Sequence, residues 1–383
     1  MGILDAPVTP ASIGAVAKSL PTNAGSRTKR FNAELSLYNA TPANMRGFRQ
    51  AFARIRGGSL VTFCFIGDSK VAGIGTNNGN SLLASNSMPG HFRTALAGRG
   101  FPIAGTGIVH PFQNPATGTQ DTRWTFTGTW SPQVATPNVN FLSSSTVGST
   151  AVFTSDMAGT VVEIYSLSNS AAFTYSIDGA AAVTVTPSGA GTNVISKTTV
   201  TGLANTTHTV TINVTTAATT YVLGAGVRNA TGVQVDNHGL SGSQTSHWIA
   251  LNWFQAKAVA ESLPSDAVFI SLGTNDSGSS VATSTFKTNM TTIINAHTAL
   301  GRPVMIIVPT APQSTHIAYP MWPQYVAAHY DLADSLNLPL LDLTDIQGTW
   351  DQANTAGMFQ GAVHENEKGY ALNAASLLAA LYR

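Results

Sequence analysis

Hydrophobic positions recur along the chain with two different spacings, and the changes of spacing divide it. Residues 1–40 are rich in Ala, Pro, Ser and Thr with little periodicity and read as an extended, loosely attached arm. From Thr41 the spacing is helical: Thr41 as N-cap and Pro42 at the first helical position precede Met45, Phe48, Phe52 and Ile55, and Gly57-Gly58 ends the segment. The apolar run 59–66 then reads as a buried strand that stops abruptly at Gly67-Asp68-Ser69. A helix is predicted near 88–98.

Between about 108 and 230 the texture becomes short Thr/Val/Ile/Tyr runs at roughly ten-residue intervals: GTVVEIYSL, AFTYSIDG, AAVTVTPSG, HTVTINVTT and TYVLGAGV. Runs of that length between Gly, Asn and Ser indicate an all-β sandwich or jelly-roll module. After 230 strand and helix patterns alternate. VQVDNHG, DAVFISLG, PVMIIVP and LPLLDL read as strands, separated by helical patterns at 245–262, 285–300 and 321–336, with a closing helix over 366–383. Such alternation implies an α/β domain with a parallel sheet covered on both faces. The strand at 59–66, apolar throughout, belongs to that sheet. The expected organisation is an arm (1–40), a discontinuous α/β domain (41–107 and 231–383) and an inserted β-module (108–230).

In such a sheet reactive groups collect in the loops beyond the carboxyl ends of the strands. Those ends read Gly67-Asp68-Ser69, then NHGLSGSQ (237–244), then GTND (273–276), and His364 precedes the last helix. Each has a plain alternative: Ser69 or Asp68 as a helix N-cap, Gly242 as a turn glycine, Asn275 and Asp276 as turn residues, His364 as a polar residue before a helix. Taken in order, however, the four blocks resemble the GDSL or SGNH hydrolase family, with Ser69, Gly242, Asn275 and His364 in the family's four positions. The resemblance covers about 200 residues and implies a flavodoxin-like three-layer fold and ester hydrolysis without cofactor or metal.

The chemistry needs those residue types. A serine hydroxyl becomes a nucleophile when a base takes its proton, and a neutral imidazole serves near neutral pH. The oxyanion of the tetrahedral intermediate needs fixed donors, which the N–H groups of Ser69 and Gly242 and the Asn275 amide can supply. One departure stands out. The family's aspartate three residues before the histidine is Gly361 here, leaving the Gly361 backbone carbonyl, Asp351, Glu365 or Asp345 as candidate orienters of His364.

Composition narrows the partners. Charged residues are 10% and net charge is +1 with no like-charge block, which excludes the basic footprint of a nucleic-acid binder. Cys64 is the single cysteine, so no disulfide framework or multi-cysteine metal site is expected, and a buried apolar role suits it. No apolar run is long enough to span a membrane, and with none before Lys18, the first basic residue, no secretory signal is expected. The expected substrate is an acylated glycan, with lipid or small esters second; Trp124, Trp130 and Tyr175 are available to stack on sugars, although each reads first as a buried core aromatic. The low charge and Ala/Pro-rich arm resemble phage tail-associated proteins, which implies an extracellular or virion-associated place and attachment through the arm. The competing expectation is a non-catalytic glycan-binding or structural tail protein on the same scaffold, which Gly361 keeps open.

Overall fold

The computed structural model describes residues 31–32, 34–76, 83–114, 119–134, 138–189, 194–249 and 262–382. Its spine is an eleven-stranded sheet. In chain order the strands are β1 (Phe31–Asn32), β2 (Leu37–Tyr38), β3 (Leu60–Gly67), β4 (Ile103–Gly105), β5 (Gly159–Leu167), β6 (Ile195–Thr206), β7 (Gly224–Arg228), β8 (Gly232–Gly239), β9 (Ala267–Ser271), β10 (Val304–Val308) and β11 (Leu340–Asp342). In space they lie in the order β1-β2-β11-β10-β9-β3-β8-β4-β7-β5-β6. The six adjacent strands β4-β8-β3-β9-β10-β11 are parallel. Without the short β4, the order β8-β3-β9-β10-β11 is the flavodoxin-like 2-1-3-4-5, whose switch point falls between β3 and β9.

Seven helices matter for the site: α1 (Arg46–Arg56), α2 (Ser69–Ala72), α3 (Met88–Gly98), α4 (Thr274–Gly278), α5 (Thr283–Thr298), α6 (Trp322–Ser335) and α7 (Glu367–Leu381). The period-2 alternation of strand side chains sends Phe63 and Phe65 to one face, against α1, α3 and α7, through Phe52, Phe92 and Leu377. Cys64 and Ile66 point the other way, against Phe286 and Met290 of α5 and Val326 of α6. Each such fully buried side chain stabilises by about 1.5–3 kcal/mol relative to exposure. Continuous burial of β3 on both faces is the reason its sequence carries no polar alternation.

Several expectations change. The helix predicted from Thr41 begins at Arg46, because Thr41–Met45 forms a turn held by Asn44 Nδ2 on the Asn39 carbonyl at 2.8 Å. The arm is not loose at its end: Leu37 and Tyr38 are buried, β2 pairs antiparallel with β11, and the Tyr38 hydroxyl donates to Asp334. Of the helix read over 245–262, Thr245–Trp248 is a single 3-10 turn and residues 250–261 lie outside the described residues. Residues 1–30 of the arm also lie outside them. Among the described residues no helix is long and apolar enough to cross a membrane.

The strands of the 108–230 stretch go to more than one sheet. β5, β6 and β7 extend the main sheet antiparallel, joined to β4 at the Arg228–Gly105 pair. Five others (Trp124–Thr127, Thr150–Thr154, Phe173–Ile177, Val183–Val185 and Thr209–Val214) form an antiparallel sheet, and a core with Trp124, Phe153, Val162, Ile164 and Ile212 lies between the two layers. Trp124 and Tyr175 are therefore core residues and not sugar platforms. Trp130 is half-buried, its indole N–H shared by the carbonyls of Thr127 and Thr150.

Candidate active site

Ser69 follows β3 and Asn275 follows β9, so both stand at the switch point of the sheet. Ser69 is the first residue of α2, and the cap is Asp68, whose carboxylate accepts the Lys70 N–H at 2.9 Å. The serine side chain is left for other work. Two glycines let this short helix settle on the strand ends: a Cβ on Gly239 would stand 2.0 Å from the Ala72 nitrogen, and one on Gly67 would stand 2.5 Å from the Ser271 carbonyl oxygen. Asp68 is fully buried, and burial raises its carboxyl to about 7.

His364 lies on a two-residue strand (His364–Glu365) paired with Phe359–Gln360, and its Nε2 is 2.8 Å from Ser69 Oγ. The cap of α7 is Asn366, so His364 is not the capping residue. Burial above all, then the charge of Lys70, lowers the imidazole to about 4, against the opposing pull of Glu365. At neutral pH the ring is therefore neutral, with Nε2 accepting from the serine hydroxyl and the proton on Nδ1.

None of the candidate orienters bonds that ring. Gly361, in the left-handed region at φ +85°, gives its carbonyl to the Trp350 indole at 3.1 Å. Asp351 is exposed, and Asp345 accepts the Ser36 hydroxyl at 2.6 Å. Glu365 is buried but turned away: its carboxylate takes the Thr310 hydroxyl at 2.6 Å, Asn373 Nδ2 at 3.2 Å and Lys70 Nζ at 3.3 Å. Among the described residues Nδ1 of His364 has no partner, so the serine and histidine stand as a pair.

The second and third blocks are laced to the first. The Gly67 carbonyl accepts the Leu240 N–H at 2.9 Å and the Ser243 hydroxyl at 3.4 Å. Asn275 Nδ2 donates to the Ser243 carbonyl at 3.0 Å, which fixes its amide and leaves its second hydrogen over. Asp276 accepts both the Thr245 N–H and hydroxyl, so the aspartate of GTND clamps the second block's loop. Gly242 has φ +78°, a conformation that favours glycine, and its N–H makes no hydrogen bond among the described residues. The Ser69 N–H, at the first position of a helix, is likewise without an intrahelical acceptor.

Lys70 and Thr310 were not foreseen. Lys70 is 4% exposed and its ammonium is met by Thr310 Oγ1 at 2.6 Å and by Glu365, a buried ion pair directly behind the serine and histidine. The one signal was a lysine immediately after GDS, in a segment otherwise read as apolar. His316, in the loop after β10, also acts on His364 as a charge that lowers its pKa.

The model of the GDSL-like Lipase/Acylhydrolase family matches residues 206–372, the span of the second, third and fourth blocks. The chain carries a GDSL-like lipase/acylhydrolase domain. The first block lies outside the matched span, yet β3 sits between β8 and β9, so Ser69 belongs to this SGNH-type domain by topology. The domain is that of an ester hydrolase. A solved structure of a peptidoglycan O-acetylesterase is similar over 92% of this chain and 97% of its own, at 17% identity and TM-score 0.66. A carbohydrate esterase family 2 enzyme with its carbohydrate binding domain, from Corynascus thermopiles, matches at 15% identity over 62% of this chain and 95% of its own; its TM-score of 0.30 carries no argument. No curated protein sequence matches the chain.

Proposed function

We propose that this esterase removes O-acetyl or other short acyl groups from a glycan, with Ser69 as nucleophile and His364 as base. The observation that carries the reading is the 2.8 Å contact between Ser69 Oγ and a neutral His364 Nε2 at the switch point of the sheet. Ser69 Oγ attacks the ester carbonyl carbon as its proton passes to Nε2. The oxyanion is held by the N–H groups of Ser69 and Gly242 and by the Asn275 amide, each worth about 3 kcal/mol of barrier. Collapse expels the sugar oxygen, which takes the proton from His364. Water then attacks the acyl-serine through the same histidine and releases the acid. With no carboxylate on Nδ1, the Glu365 charge is the one that favours the imidazolium of the intermediate. The glycan is favoured by likeness to the peptidoglycan O-acetylesterase, which extends over 92% of this chain.

The test is release of acetate from p-nitrophenyl acetate and from O-acetylated polysaccharides by wild type, Ser69→Ala and His364→Ala. Turnover by wild type that falls at least about a thousandfold in either variant is expected. Equal rates in wild type and Ser69→Ala would remove Ser69 from the mechanism.

A further inference from the structure

Beside α2, where the hydrolase sheet meets the 108–230 stretch, lies a half-open cavity of about 50 Å³ walled by Ala72, Arg93, Asn237, His110, Asp121 and Arg123. One water needs roughly 10–15 Å³, so the space suits a few waters or one small acid group. Its two arginines are held differently. Arg123 is fully engaged: its Nε and Nη2 grip the buried Asp121 at 2.9 and 2.8 Å, and Nη1 reaches Asp156 at 3.2 Å. Arg93, projecting from α3, makes no hydrogen bond or ion pair among the described residues. Burial lowers its pKa, the charge of Asp156 opposes that from beyond contact distance, and Arg123 adds to it, so the guanidinium is held partly out of water with no group directly on it. His110 is tied through Nδ1 to the Leu223 carbonyl at 2.8 Å and, with its pKa lowered to about 4 by burial, adds no charge. The Asn237 amide is bound to Ser87 Oγ and to the Gly239 N–H. One guanidinium without a direct contact remains in the wall of a small space.

We propose that this cavity is an anion subsite in which Arg93 binds a carboxylate, sulfate or phosphate group carried by the acylated glycan. The proposal rests on the esterase reading of Ser69 and His364. A guanidinium fork matches such planar or tetrahedral oxyanions through paired N–H donors. Ala72, on the cavity wall, is three residues beyond Ser69 in the same helix, about 4.5 Å along its axis. An acid group bound there belongs to the same sugar unit as the scissile ester or to its neighbour. The 108–230 stretch then has a direct part in selection, since His110, Asp121 and Arg123 shape the pocket and hold its second arginine still.

Two measurements on the full chain test this. In the first, glucuronate, inorganic sulfate and inorganic phosphate are each titrated into wild type, Arg93→Ala and Arg93→Lys at low ionic strength, with binding read by calorimetry. At least one anion binds wild type, and its affinity falls tenfold or more in Arg93→Ala, with Arg93→Lys between; the anion preferred tells a uronate from a sulfated or phosphorylated glycan. In the second, the ratio of kcat/KM on an O-acetylated acidic polysaccharide to that on an O-acetylated neutral one is compared between wild type and Arg93→Ala, and is expected to fall about tenfold. No anion binding by wild type, or equal binding by wild type and Arg93→Ala, overturns the subsite. An unchanged ratio overturns its role in substrate choice. Arg93-dependent anion binding in a protein that hydrolyses no ester, p-nitrophenyl acetate included, keeps the anion site and overturns the esterase reading instead.

Discussion

The depressed pKa of His364 makes a quantitative claim about acidity. The group must be neutral to take the serine proton, so the acid limb of kcat/KM follows its protonation in the free enzyme. With the imidazole lowered to about 4, chiefly by burial and then by Lys70, about 90% of the enzyme is competent at pH 5. An ordinary histidine near 6.5 would leave about 3% competent there, roughly a thirtyfold difference. The perturbation is Lys70→Met, which removes the second of these causes: the limb moves up in pH, while Glu365→Gln, which removes the opposing charge, moves it down. The assay is a discontinuous p-nitrophenyl acetate hydrolysis from pH 3.5 to 8, with aliquots made alkaline before reading so that the chromophore is fully ionised. A wild-type limb between pH 6 and 7 would refute the reasoning, and so would a downward shift in Lys70→Met. Both variants break a buried ion pair, and the lone charge left behind costs about 3–5 kcal/mol. Each profile is therefore taken at a temperature below the variant's own melting transition.

Three further outcomes follow from named contacts. Asn275→Ala removes one oxyanion donor and lowers kcat by about 10²–10³ with KM little changed; a fall in kcat of less than threefold would take Asn275 out of the oxyanion hole. Gly239→Ala drives a Cβ into the backbone of Ala72 and destabilises by about 1–3 kcal/mol, with esterase activity lost before the fold as α2 shifts; a variant with wild-type melting and turnover would show that the helix does not need that approach. Asp68 has its carboxyl raised to about 7 by burial, so the stability it contributes is present below pH 3.8 and is lost as pH rises through 7. The melting temperature of Asp68→Asn relative to wild type should therefore climb between pH 4 and pH 8 in calorimetry, and a flat difference would contradict the raised value.

The legible part of this molecule was the part set by topology. A parallel sheet brings the ends of its strands to one edge, so GDS after β3, GTND after β9 and His364 before α7 were readable as neighbours although 295 positions separate Ser69 from His364. What surrounds them was less readable. Whether Glu365 faces the imidazole or Lys70 depends on which side of a two-residue strand it leaves, and the spacing from His364 says nothing of that. Trp124 and Tyr175 carried two readings, core aromatic or sugar platform, and the structure takes the first, because a second layer covers their face of the strands. β6 escaped the pattern altogether: as an edge strand it is mostly exposed, and Lys197, Thr198 and Thr201 give it no apolar rhythm. The left-handed Gly361 in the family's acid position was visible as a departure, and the partner its carbonyl takes, the Trp350 indole, was not.

The splitting of the domain between two distant stretches bears on how the chain reaches this state. Leu60 pairs with Gly232 and Gly67 with Gly239 in the ladder of β3 and β8, so the central strand of the sheet emerges from synthesis long before its neighbours and has nothing to pair with. Closing so long a loop costs chain entropy before any contact of the ladder is made, which slows the pairing. The intervening strands, however, pair antiparallel mostly with one another and can form while the rest is still being made. Once they have, the Arg228–Gly105 pair brings the two halves of the hydrolase within one strand of each other. The stretch that helps shape a pocket in the finished enzyme would thus act earlier as a clasp that shortens the search, and slowing its assembly should expose β3 to aggregation during synthesis.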